Sequence, residues 1–140
     1  MKKCLPNFLT QRDYPRVAYY SSDKTNKEDL KYFSSKTSNH VIVIGNKWFK
    51  IMKNTTLYLY EFNFNNFYIQ DEIAGYYVSE NMEILFNKII IEDLFLELFL
   101  ELLKRNIEVR IVDNLWNLCD EIKETTLNWS MCRMAYAPKE

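Results

Sequence analysis

The chain has 140 residues, 48% of them hydrophobic, enough for one globular domain with a proper core and too few to make a second domain the simpler reading. Its formal net charge of -1 and pI near 5.9 exclude a global basic field for nucleic acid or anionic lipid, and the densest basic groups, Lys2-Lys3 and Lys104-Arg105, are only pairs. Three cysteines, Cys4, Cys119 and Cys132, match no zinc or redox spacing and read as free thiols. Lys3 is followed by Cys4-Leu5-Pro6-Asn7 and not by the apolar core segment of a secretory signal, and acids interrupt the stretch from Ile89 to Leu103, so a soluble cytoplasmic protein is expected.

Along the chain, Pro6 and Pro15 bracket a loop-like opening before Arg16–Tyr20, a short strand. Thr25-Asn26-Lys27-Glu28 fits a capping box that would start a short helix through Phe33. Lone His40 begins the apolar run Val41–Ile44, the clearest buried strand, and is expected to be structural because no second His exists to share a metal. Gly45-Asn46 is a turn, and Lys47–Lys53 a short helix. Leu57–Phe62 reads as a strand, with Asn63–Asn66 turning it into residues 67–80 as an antiparallel hairpin.

That following segment, from Phe67 to Glu80, reads as a buried strand up to Val78 except where Gln70, Asp71 and Glu72 interrupt it. On a regular strand, Gln70 and Glu72 would face one side and Asp71 the other, pairing an amide with a carboxylate. Ile89–Ile91 is a further strand, and Asp93 caps a helix to Arg105 that Asn106 ends in a left-handed conformation. Glu108–Val112 is then a strand, so a right-handed parallel crossover is expected. Within the helix, Phe95-Leu96-Glu97-Leu98 is repeated as Phe99-Leu100-Glu101-Leu102, a unit near one helical turn that would advance the register by about 40° and keep a buried stripe. Asp113 or Asn114 caps a last helix to about Glu124, and Leu127–Tyr136 is too aromatic for a free tail. The fold class expected is α+β, a single domain over 1-140 with a mixed, largely antiparallel sheet and three to four packed helices.

Several blocks carry a resemblance: Leu5–Thr10 with Arg12-Asp13 and Pro15–Tyr19, Met52–Phe62, Gln70–Ser79, Arg105–Arg110 with Val112–Trp116, and Trp129-Ser130 with Cys132–Tyr136. Over nearly its whole length the chain resembles a family of small uncharacterised proteins of Firmicutes-type bacteria, a domain of unknown function. Members of that family extend further at the N-terminus, which implies that this chain is either a naturally short relative or a truncated product, short of one strand and with an exposed sheet edge, a route to self-association into a homo-oligomer.

A remoter resemblance rests on Gln70-x-Glu72, which is similar to the Gln/Glu-x-Glu motif of the ADP-ribosyltransferase-like superfamily. It implies NAD as cofactor, Glu72 as the catalytic carboxylate that stabilises a cationic sugar transition state, and Gln70 as its companion. Arg16 and Tyr76 are the cofactor-binding candidates, a cation for phosphate and a ring for stacking, and Tyr20-Ser21-Ser22 or Asn54-Thr55-Thr56 is a weak counterpart of the superfamily's Ser-Thr-Ser strand. The alternative is a non-catalytic binding or structural domain. Glu61, beside Leu57 and Leu59, needs a partner, expected to be Arg16, Arg110 or another cation. Phosphate-loop glycines, a nucleophile elbow and a helical His pair are all missing from the sequence.

Overall fold

The computed structural model describes residues 5–139. Its centre is a four-stranded sheet built from β1 (Arg16–Tyr20), β2 (His40–Gly45), β7 (Ile107–Val112) and β8 (Asn128–Arg133) in the order β7-β2-β1-β8. β1 pairs antiparallel with both β2 and β8, whereas β2 and β7 run parallel. Two smaller antiparallel pairs complete the strands: β3 (Leu57–Phe62) with β6 (Leu85–Ile91), and β4 (Tyr68–Asp71) with β5 (Tyr76–Val78). The helices are α1 (Phe49–Lys53), α2 (Leu94–Arg105) and α3 (Trp116–Lys123), with short 3-10 turns elsewhere. The α+β class and the mixed, largely antiparallel strands agree with the sequence reading.

β1 and β2 are buried along their whole length, because both faces of the sheet are covered. Period-two alternation sorts their side chains: Ala18, Ile42 and Ile44 face one core with Leu94 and Leu98 of α2, whereas Val17, Tyr19, Val41 and Val43 face the other with Cys119 and Ile122 of α3. Helix ends follow their predicted chemistry. Asp93 accepts a hydrogen bond from the Leu96 amide at 3.0 Å, and Asn106 closes α2 at φ 53°, ψ 41°. Asn114 accepts from the Trp116 amide at the start of α3. Cys119 and Cys132 are free thiols, buried and half-buried, while Cys4 lies outside the described residues.

Three local expectations are corrected. Residues 67–80 do not pair with β3; they fold back on themselves as β4 and β5. The Asp71 carboxylate accepts from the Ala74 amide at 2.8 Å, and Gly75 takes φ 69°, the positive value that a side chain would disfavour, so the polar interruption is a reversal. β6 and β7 do not form a parallel crossover. β6 lies in the small sheet with β3, and the parallel partner of β7 is β2, so the order strand, helix, strand here links two different sheets. The Thr25–Glu28 capping box is also absent: Thr25 Oγ1 accepts from the Ser22 amide, and the 3-10 turn over Lys27–Tyr32 is anchored by Thr126, which accepts from the Asn26 amide and donates to Asp29.

The duplicated turn in α2 also behaves differently from a simple extension of a buried stripe. Glu97 is half-buried, but its repeat, Glu101, is buried and held by Lys104 at 3.2 Å and Arg105 at 2.7 Å, while Phe99 is exposed where its counterpart Phe95 is half-buried. A small rotation per unit, accumulated over one repeat, is enough to do this. Among the described residues no helix is long and apolar enough to cross a membrane.

Candidate functional site

The β4–β5 hairpin stands across the end of the central sheet and makes two grooves with it. One, of about 650 Å³, is lined by Glu72, Ile73 and Gly75 of the hairpin turn, Ile69 and Tyr77 beside it, Tyr20 at the end of β1, the Ser22-Asp23-Lys24 loop, and Asn128 at the start of β8. The other, of about 510 Å³, runs along β8 from Leu127 to Arg133 and is closed by Asp71, Ile73, Ala74 and Tyr76. Both volumes fall within the range of small-molecule sites. Tyr20 Oη donates to the Ile73 carbonyl at 2.9 Å, so the wall between the grooves is tied to the end of β1.

Glu72 therefore sits on a turn at the mouth of the first groove, with its carboxylate exposed. Gln70 lies at a bulge: Ile69 pairs with Tyr77 and Asp71 with Tyr76, leaving Gln70 unmatched between them. The two residues thus do not share a regular strand face, and Gln70 does not line the groove that Glu72 borders.

Tyr76 and Arg16 belong to the second groove's side. Tyr76 lines it and stacks obliquely on Phe8, with ring centroids 5.9 Å apart. Arg16 is buried, and its donors hold the loop before β1: Nε donates to the Asn7 carbonyl at 2.7 Å, and Nη1 to those of Tyr14 at 2.8 Å and Gln11 at 3.3 Å. Burial, with repulsion from Arg133, lowers its pKa to about 10, against an opposing pull from Tyr76. It stays charged at neutral pH and acts as the post on which residues 7–14 are hung. The structure brings Arg16 near Tyr76 and places Glu72 on the other side of the hairpin.

Glu61 is exposed and accepts from Asn87 Nδ2 at 2.8 Å, so an amide across the β3–β6 pair replaces the cation expected for it. Asp13 is engaged by Arg133 Nη2 at 2.9 Å. His40 is buried beside the Tyr20 ring, consistent with a structural role. Groove residues that the sequence did not single out are Asp23, Lys24 and Asn128. Only their positions after β1 and at the start of β8 mark them, and those positions become meaningful once β1 and β8 are known to be neighbours. Among the described residues, no group of three or more His, Cys, Asp or Glu side chains could hold a metal ion.

A single α+β domain with a turn-borne carboxylate over an aromatic groove is the class that this fold and geometry define. A model described as a family of unknown function, DUF6886, matches residues 1–137, and the chain belongs to that family. No curated protein and no solved structure matches the chain.

Proposed function

We propose that the chain is an ADP-ribosyltransferase-like domain that binds NAD in the groove bordered by Glu72, and that it is impaired as an enzyme. One observation carries the reading: Glu72, the tyrosines Tyr20 and Tyr77, and Ser22 share one groove of about 650 Å³ between the hairpin and the end of the central sheet. A carboxylate beside aromatic rings suits a ligand whose reacting sugar develops positive charge while its base stacks. Ser22 belongs to the Tyr20-Ser21-Ser22 segment, and its place in the same groove as Glu72 supports the reading, although Gln70 lies outside that groove.

In this reading Glu72 supports the oxocarbenium-like state and Lys24 meets the phosphates at the rim. Tyr76 and Arg16 back the hairpin from the neighbouring groove. Impairment follows from Gln70, which the bulge carries out of the position needed to direct an acceptor alongside Glu72. The test is calorimetric titration with NAD together with an assay of nicotinamide release. Binding that Tyr77→Ala weakens at least tenfold, with slow release that Glu72→Gln abolishes, is the expected result. Absence of binding at millimolar NAD overturns the proposal.

A second reading, a non-catalytic domain that self-associates through a sheet edge, is favoured by the position of β7 and β8 at the two ends of the central sheet, each paired on one side among the described residues.

A further inference from the structure

α2 presents two apolar faces, and only one of them is used. Leu94 and Leu98 are buried against the central sheet. On the opposite side Leu96, Phe99, Leu100 and Leu103 are 55%, 56%, 39% and 65% exposed. Their spacing of i, i+3, i+4 and i+7 makes one continuous stripe along the helix, the pattern by which a helix packs against another helix. Phe49 widens this surface: its ring lies 4.6 Å from that of Phe95 on the flank of the stripe, and both Phe49 and its neighbour Ile51 in α1 are exposed. An apolar patch of this kind on an otherwise charged helix marks an interaction site.

Charge along α2 says what covers it. The N-terminal end carries Glu92, Asp93 and Glu97, none of which takes part in an ion pair among the described residues. At the C-terminal end Lys104 and Arg105 share the single carboxylate of Glu101, which leaves surplus positive charge beside Leu103. The same asymmetry favours the helix dipole, and an antiparallel copy would use it again.

We infer that the outer face of α2 is a homodimer seam, in which α2 packs antiparallel on α2 of a second copy about a two-fold axis near Phe99 and Leu100. In that arrangement Leu96 of each copy meets Leu103 of the other. Lys104 comes within about one helical turn of the other copy's Glu92 and Glu97. The seam is independent of the sheet edges and of the Glu72 groove. A helix of this length makes a small interface, so the dimer is expected to dissociate in the micromolar range.

Sedimentation equilibrium of the full chain over a concentration series tests it. A monomer–dimer equilibrium is expected. The Leu96→Glu, Leu103→Glu double variant should weaken it at least tenfold with an unchanged circular dichroism spectrum, since both side chains are already exposed. Lys104→Glu should weaken it as well, and adding Glu92→Lys should restore part of the loss. A wild-type chain that stays monomeric to about 1 mM, or a double variant that dimerises like the parent, overturns the inference. Failure of the charge-reversed pair to recover overturns the antiparallel arrangement.

Discussion

Tyr20 donates from its hydroxyl to the carbonyl oxygen of Ile73 at 2.9 Å, joining the last residue of β1 to the turn that carries Glu72. The bond spans two sheets and fixes the distance between the walls of the candidate site.

Removing that hydroxyl with Tyr20→Phe is expected to lower stability by about 1 kcal/mol, the net worth of one such bond. It should also loosen the hairpin more than the rest of the molecule. Amide hydrogen exchange is the check: faster exchange confined to residues 69–78 is expected, while uniform acceleration would mean that the bond does not anchor the turn.

Arg16 holds the carbonyls of Asn7, Gln11 and Tyr14 from a buried position. Arg16→Met keeps the apolar stem and leaves those acceptors without their charged donor, at a cost of about 3 kcal/mol. Urea denaturation of the variant should show the midpoint shifted by that amount with an unchanged slope. A near-neutral effect would mean that water reaches the carbonyls.

Glu108 gives a pH dependence with a definite sign. Burial acts to raise its pKa, but hydrogen bonds from Arg110 and the Ser34 amide outweigh that, and the net shift is below the ordinary value of 4.5. A carboxyl depressed on folding stabilises the protein above its unfolded pKa, and the contribution is lost as pH falls through the folded value. Unfolding midpoints measured between pH 7 and pH 3 should therefore fall less for Glu108→Gln than for the parent.

Cys132 behaves in the opposite direction. Burial, reinforced by a hydrogen bond with Cys119, pushes its thiol up to about 12 from 9.0. The folded state then prefers the neutral thiol, and that preference is fully present below pH 9 and lost as pH rises toward 12. Alkylation at pH 8, mapped by mass spectrometry, should modify Cys132 far more slowly than an exposed thiol, because little thiolate forms. Rapid labelling in the native state would contradict this.

The elements with strong local signals were readable in the sequence. Arg16–Tyr20, the Val41–Ile44 run and Leu57–Phe62 are strands in the structure, and the Asp93 and Asn106 caps bound α2 as their chemistry requires. Pairing was less legible, because it depends on which apolar faces meet. β6 joins β3 and β7 joins β2, although the order strand, helix, strand reads equally well as one crossover.

The segment around Glu72 shows the same limit at the scale of a few residues. Alternation suggested one interrupted strand, whereas the Asp71 carboxylate on the Ala74 amide and the positive φ of Gly75 make it a hairpin. Asp71 followed by Gly75 was the available turn signal. The bulge at Gln70 carried none, since a bulge is fixed by the partner strand's register. Tyr20-Ser21-Ser22 is one of two weak motif counterparts in the sequence, and which of them meets Glu72 is a tertiary fact.

The most direct measurement is a two-dimensional amide NMR titration of the chain with NAD. Saturable shifts concentrated on residues 22–24, 72–75, 77 and 128 are predicted, and they should disappear in Tyr77→Ala. No saturable shifts at millimolar NAD, or shifts confined to the groove along β8, would contradict the assignment of the Glu72 groove as the binding site.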